Sequence, residues 1–240
     1  MSSRLYLIIP AYNEQENIES LIADWYPVIE AITDAQLVVI NDGSRDDTLQ
    51  MLTEFAVSRP KLTVLTKENS GHGDTLLFGY SYAIYHGADW IFQTDSDGQT
   101  KALEFKGFWE LRNQYDAIFG SRKKRGDGVS RLLIEVVLCT LLRVFFRVQV
   151  PDANCPFRLM RAKKVAEYIK QMPEHYFLPN VMLTVYFVKS KDRVLFKETT
   201  FENRKGGKNT INIKKIVKIG LRSLGDFHRF REEMFRSKLR

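Results

Sequence analysis

The stretch FQTDSDGQT, residues 92–100, closes an apolar run with two carboxylates one residue apart, Asp95 and Asp97. Asp and Gly are ordinary turn residues, so a surface turn is the simplest reading. The same spacing also offers hard oxygen donors to a divalent cation such as Mg2+ or Mn2+. Two other apolar runs end in comparable polar groups, Pro10-Ala11-Tyr12-Asn13-Glu14 and Asn41-Asp42-Gly43-Ser44. Each taken alone is a turn. Gathered on one rim of a sheet, they would form a convergent site.

The elements that would gather them are legible from periodicity. RLYLII (4–9), QLVVIN (36–41), LTVLT (62–66), DWIFQTD (89–95) and DAIFGS (116–121) are short apolar runs of the kind buried parallel strands show. Between the first two, Ile18, Leu21, Ile22, Trp25 and Ile29 recur at helical spacing, with a kink or break expected at Pro27. Helices are also expected over 46–58, 73–87, 102–113 and 161–172, and a strand over 194–203. This β-α alternation predicts an α/β fold, a mostly parallel, Rossmann-like sheet with helices on both faces. Ligands of such sheets bind beyond the carboxyl ends of the strands, where the polar groups lie. The dense apolar segment 130–148 is expected to be a helix buried against the sheet, with Phe145 and Phe146 inside.

Of the formal charge of +7, the tail from Arg204 to Arg240 carries 12 Lys/Arg against 3 Asp/Glu, and the rest of the chain is close to neutral. A near-neutral body without a reading motif argues against a nucleic-acid partner. Cys139 and Cys155 are too few for a disulfide framework and fit a reducing compartment. Neither a secretory leader nor an uncharged stretch long enough to span a bilayer is visible, so a cytoplasmic protein, peripheral at the membrane face, is expected. Residues 1–210 are expected to form the α/β domain and 211–240 a basic amphipathic helical extension. In that extension Ile213, Ile216, Val217, Leu221, Leu224, Phe227 and Phe230 form the apolar stripe. The stripe is expected either to pack on the domain or a second subunit or to lie in the headgroup region of an anionic membrane, which the basic face suits.

The stretches IIPAYNEQENI, VVINDGSRDDT, SGHGDTLLFGYSYA, QTDSDGQT, GSRKKRGDGVSR and PDANCPFRLMRA occur in an order that resembles the family 2 glycosyltransferases of GT-A fold. The dolichol-phosphate mannose synthase branch and its bacterial polyprenyl-phosphate relatives are the nearest likeness. The resemblance implies that Asp95, Asp97 and Gln99 hold Mg2+ or Mn2+, which in turn holds the donor's diphosphate. It places Pro10, Tyr12, Glu14 and Asp42 around the nucleoside, and Arg204, in the RKGGKNT segment, over the donor phosphates. It puts Arg122, Arg125 and Arg131 in an arginine-rich acceptor loop, where planar guanidinium donors suit phosphate. Asp152, Phe157 and Arg158 match a further motif, although Ala153-Asn154-Cys155-Pro156 departs from its small residues. His72 stands where the family carries lysine and is assigned no contact, and Asp74 is read as a residue of a helix N-terminus.

The activity implied is inverting transfer of a hexose from a UDP- or GDP-sugar, in glycan or cell-surface polysaccharide assembly. The acceptor is a polyprenyl phosphate or a saccharide. An anionic phosphate acceptor needs no general base, whereas a hydroxyl acceptor does, and Asp152 is the residue expected to serve. The alternative from another class is a non-catalytic nucleotide-sugar-binding or interaction protein on the same fold. Sequence leaves a homo-oligomer open.

Overall fold

The computed structural model describes residues 3–122, 129–202 and 225–232, the side chains of 129–134 excepted. Seven strands form one sheet: β1 (Leu5–Ala11), β2 (Ala35–Asp42), β3 (Leu62–Lys67), β4 (Trp90–Gln93), β5 (Ala117–Ser121), β6 (Arg158–Arg161) and β7 (Val194–Glu198). The spatial order is β3-β2-β1-β4-β6-β5-β7. β1, β2, β3 and β4 pair in parallel, β5 with β7 likewise, and only β6 runs against both of its neighbours.

Among the described residues the strands are accompanied by α1 (Gln15–Glu30), α2 (Thr48–Val57), α3 (His72–Tyr85), α4 (Phe105–Trp109), α5 (Val129–Phe146), α6 (Ala162–Ile169) and α7 (Pro179–Lys189), with a further helical segment over 225–232. The period-two alternation of β1 divides the core. Leu5, Leu7 and Ile9 face the layer containing α1 and α2, while Tyr6 and Ile8 face α3, α6 and α7. α3 lies tight on the sheet because Gly79 has no side chain; a Cβ there would sit 2.5 Å from Ile8 Cγ2 and 2.6 Å from Ile40 Cδ1. Pro27 does not break α1, which runs on to Glu30. The 102–113 segment is a 3-10 turn (Ala102–Glu104) followed by the short α4 rather than one helix.

The strand that delivers the aspartate pair is held firmly. Phe92 of β4 meets Phe105, Phe108 and Phe157 edge to face, with ring centroids 4.9, 6.4 and 4.7 Å away, and Trp25 at 5.6 Å. Such pairs add about 0.5–1.5 kcal/mol each beyond burial. On the opposite face, Phe146 and Leu142 of α5 are buried, as expected for 130–148, whereas Val136, Val137 and Val144 are exposed. The helical segment 225–232 sets Phe227 and Phe230 into the same layer, against Phe145, Phe146, Tyr176 and Tyr186. For these two aromatics the tail's stripe docks on the domain. The rest of the stripe lies outside the described residues. Among the described residues no helix is long and apolar enough to cross a membrane.

Candidate active site

The carboxyl ends of β1 and β2 are stitched together by side chains. Asn13, at φ 53°, accepts from Arg45 N through Oδ1 (2.8 Å) and donates its own N–H to Ser44 Oγ (3.0 Å). Glu14 N donates to Thr48 Oγ1 (2.9 Å), and the Glu14 carboxylate accepts from Asn17 Nδ2 (2.5 Å). Tyr12 is left 43% exposed beside this turn, its ring open to a planar ligand. Pro10 sits one residue before the end of β1.

Asp42, the last residue of β2, is only 3% exposed. Its Oδ1 accepts from Lys67 Nζ (2.5 Å) and Ser70 N (3.1 Å), and its Oδ2 from Gly71 N (3.0 Å). Burial pushes its pKa up, but the Lys67 bond and these amides outweigh that and hold it below the usual carboxylate value. Gly43 follows at φ 65°, and a Cβ there would lie 2.8 Å from Asn69 N. Only glycine fits that position. Asp42 therefore fixes the 69–71 turn from which α3 starts. Asp74, in the first turn of α3, accepts from His175 Nδ1 at 3.0 Å and from Ser70 Oγ.

Asp95 follows β4 at the floor of the same rim, its side chain 26% exposed. A buried polar chain supports it from below. Gln93 Nε2 donates to Asp95 Oδ1 (3.1 Å), Asn180 Nδ2 to Gln93 Oε1 (3.1 Å), and Tyr80 Oη to Asn180 Oδ1 (3.0 Å). His72 Nε2 stands 3.8 Å from Asp95 Oδ1. Desolvation raises the Asp95 pKa against the pull of His72 and Arg122, and the neighbouring Glu14 adds to the rise. Asp97 Oδ1 accepts from Gln99 N (3.1 Å) across Gly98, at φ 70°.

Gln99, 5% exposed, donates its Nε2 to Glu202 O at 2.8 Å, which leaves its amide oxygen for another partner. Among the described residues no three His, Cys, Asp or Glu side chains converge as a closed metal site. Two carboxylates and an amide oxygen are instead an open oxygen set of the kind that leaves positions for phosphate and water. Oxygen donors of this type, on a rim where Asp95 keeps 26% of its side chain exposed, fit Mg2+ or Mn2+.

On the far side of the rim, Arg122 follows β5. Its Nε and Nη2 span Asp152, 2.7 Å to Oδ2 and 2.9 Å to Oδ1, and Nη2 is 3.5 Å from Glu135 Oε2 of α5. The guanidinium lies 5.1 Å from the Phe201 ring centroid. Asp152 is 2% exposed and also accepts from Asn154 N at 3.1 Å. Both oxygens of the Asp152 carboxylate are thus engaged, Oδ2 by Arg122 and Oδ1 by Arg122 and Asn154 N. Arg158 is fully buried and gives its N–H groups to the carbonyls of Cys155, Asn180 and Ala153, so it organises the core rather than the cleft. Arg125 and Arg204 fall outside the described residues, and Arg131 lies on α5 among the side chains not described.

The structure thus brings Tyr12, Glu14, Asp42, Asp95, Asp97, Gln99, Arg122 and Asp152 to one rim. Three contributors were not found by spacing. His72, Gln93 and Asn180 are single polar residues without a repeat to mark them, and His72 reaches Asp95 after all.

The profile described as Glycosyl transferase family 2 matches residues 6–169. The chain belongs to that family. An uncharacterized glycosyltransferase of Synechocystis is 28% identical over 72% of this chain and 55% of its own length. The undecaprenyl-phosphate 4-deoxy-4-formamido-L-arabinose transferase of Pectobacterium atrosepticum is 26% identical over 72% of this chain and 53% of its own. The chain spans about half the length of these relatives. Among solved structures, glucosyl-3-phosphoglycerate synthase from Mycobacterium tuberculosis with UDP superposes at a TM-score of 0.65, with 16% identity over 96% of this chain and 80% of that one. The same synthase is also known with Mn2+, UDP-glucose and phosphoglyceric acid. The family 2 fold is GT-A, and the antiparallel β6 belongs to it in this chain.

Proposed function

We propose that this family 2 glycosyltransferase moves a hexose, with inversion, from a nucleotide-diphosphate sugar to a polyprenyl phosphate. The observation that carries the acceptor choice is the Arg122–Asp152 pair. Its two parallel hydrogen bonds occupy the carboxylate that a hydroxyl acceptor would need as a base. A lipid phosphate is already an anion at neutral pH and needs none. The Pectobacterium relative carries undecaprenyl-phosphate in its name, which fits this acceptor class.

In this reading Tyr12, Glu14 and Asp42 receive the nucleoside, and UDP is preferred over GDP because the Mycobacterium synthase binds UDP. Asp95, Asp97 and Gln99 hold Mg2+ or Mn2+, which when bound neutralises charge on the diphosphate leaving group. Arg122 steers the acceptor phosphate, a role the family resemblance extends to Arg131. An oxygen of that phosphate bonds to the anomeric carbon as the bond from that carbon to the donor diphosphate breaks, and the nucleoside diphosphate departs. No proton changes hands. The family resemblance assigns Arg204 to the donor phosphates, and in this reading the protein works at the cytoplasmic face of a membrane.

The test is a screen of labelled nucleotide sugars against polyprenyl phosphate and saccharide acceptors, with Mn2+ or with chelator. The expected product is an inverted sugar–phosphate lipid formed only with metal. Product on saccharides alone would overturn the acceptor choice. Nucleotide binding without any transfer would favour a non-catalytic binder.

A further inference from the structure

Helix α5 carries an outward stripe that the core does not use. Val136, Val137, Thr140, Arg143 and Val144 follow one another at the spacing of a single helix face, and all five are exposed, as is Arg147, which leaves the helix one residue past its end at φ 57°. The three valines are 54%, 51% and 65% exposed. β-branched residues are not favoured on a solvated helix face by their propensity. No carboxylate stands on the stripe; the helix's only acid in this stretch, Glu135, turns inward to Arg122 and to Ala153 N.

We propose that this face of α5 is the surface on which the domain rests on an anionic lipid bilayer. The valines enter the headgroup boundary, and Arg143 and Arg147 meet lipid phosphates. Two features of the structure select a lipid surface as the occupant. The stripe pairs apolar side chains with arginines and lacks any acid, which is the complement of an anionic headgroup layer. The same helix also serves the acceptor side of the site from its inner face, where Glu135 contacts the guanidinium of Arg122. The inference rests on the lipid-phosphate acceptor reading given above, but its test does not depend on turnover.

The experiment places a reporter on the stripe of the full chain. Val144→Trp is combined with vesicles of phosphatidylcholine alone or mixed with phosphatidylglycerol, with and without brominated acyl chains. Native Trp25 and Trp90 are buried, at 2% and 1% exposure, and give the unquenched background together with Trp109. The expected result is a blue shift and bromine quenching of the added tryptophan with phosphatidylglycerol vesicles only. Replacing Arg143 and Arg147 by Glu should weaken vesicle partitioning about tenfold or more. Val137→Ser with Val144→Ser should do so with unchanged turnover on a water-soluble short-chain prenyl phosphate. Three results overturn the proposal: no vesicle binding, vesicle binding without quenching at residue 144, or a blue shift already present without vesicles in a dimer. Failure of the short-chain assay in the wild type would instead count against the transferase reading.

Discussion

Gln99 and Glu202 are joined by two hydrogen bonds that run in opposite directions, Glu202 N to Gln99 O and Gln99 Nε2 to Glu202 O, both 2.8 Å. Between them Thr100 and Phe201 form an antiparallel bridge, and the Phe201 ring lies beneath Arg122. Glu104 closes the strip by accepting from Thr200 N (3.0 Å) and from Thr199 Oγ1. The segment 199–202 thus ties the aspartate pair to the acceptor-side arginine. Gln99→Leu is expected to lower donor affinity and turnover together, and to lower the melting temperature through the lost bond to Glu202 O. A variant with normal affinity would mean that Gln99 serves the strip alone.

Asp97 is half-buried in a turn after the core strand, so Asp97→Ala should fold normally. Turnover should fall about 100-fold or more, the scale seen when one electrostatic contact to a developing charge is removed. Chelator should do the same to the wild type, read as loss of metal-dependent nucleotide-sugar binding in calorimetry. Donor binding that ignores chelator would refute the metal assignment.

Asp152 and Arg122 separate two roles that sequence alone leaves joined. If Asp152 holds Arg122 rather than a proton, Asp152→Asn lowers turnover without removing the acidic limb of the pH–rate profile. Arg122→Lys keeps the charge but loses the two-pronged contact and should cost about tenfold in turnover. Asp152→Ala strands a buried guanidinium and should destabilise the fold by about 3–5 kcal/mol. Disappearance of the acidic limb in Asp152→Asn would restore the general-base role.

Asp116 supports β5 and β7 at the end opposite the site. It accepts from Arg193 Nη2 at 3.0 Å and from Arg161 Nε at 3.1 Å. The Arg193 bond, against some desolvation, brings its pKa down from 3.8 to about 2. A carboxyl depressed in the folded state adds stability that is complete above its unfolded pKa and fades as pH falls toward the folded one. Both arginines are partly exposed, so screening trims the contribution to about 1 kcal/mol. Asp116→Asn should lower the melting temperature at neutral pH, and the gap should close between pH 4 and pH 2. A gap unchanged across that window would show that the pair contributes through packing alone.

Much of the fold was legible where burial leaves a period. The alternation of Leu5, Leu7 and Ile9 and the helical spacing of Ile18, Leu21, Ile22 and Trp25 mark β1 and α1 because one face of each is committed to the core. β6 escaped notice because Arg-Leu-Met-Arg is four residues long and its first arginine is itself buried. α7 escaped because nine of its residues, Pro179 to Phe187, are buried all round and leave no polar face to set a period. The rim residues Asp42, Asp95 and Asp97 were visible by type and spacing. The partners that define their chemistry, Lys67 beneath Asp42 and Asn180 behind Gln93, come from distant segments and carry no local signal.

The docking of Phe227 and Phe230 makes the end of the described chain part of the domain's interior. A protein cut before residue 225 would bare Phe145, Phe146, Tyr176 and Tyr186 together, an aromatic surface prone to self-association. Such a truncated protein would cling to vesicles, resins and its own copies for reasons unrelated to the native membrane contact. Loss of the tail can therefore masquerade as gain of lipid affinity, and the extension's contribution is read cleanly only from charge changes that leave both phenylalanines in place.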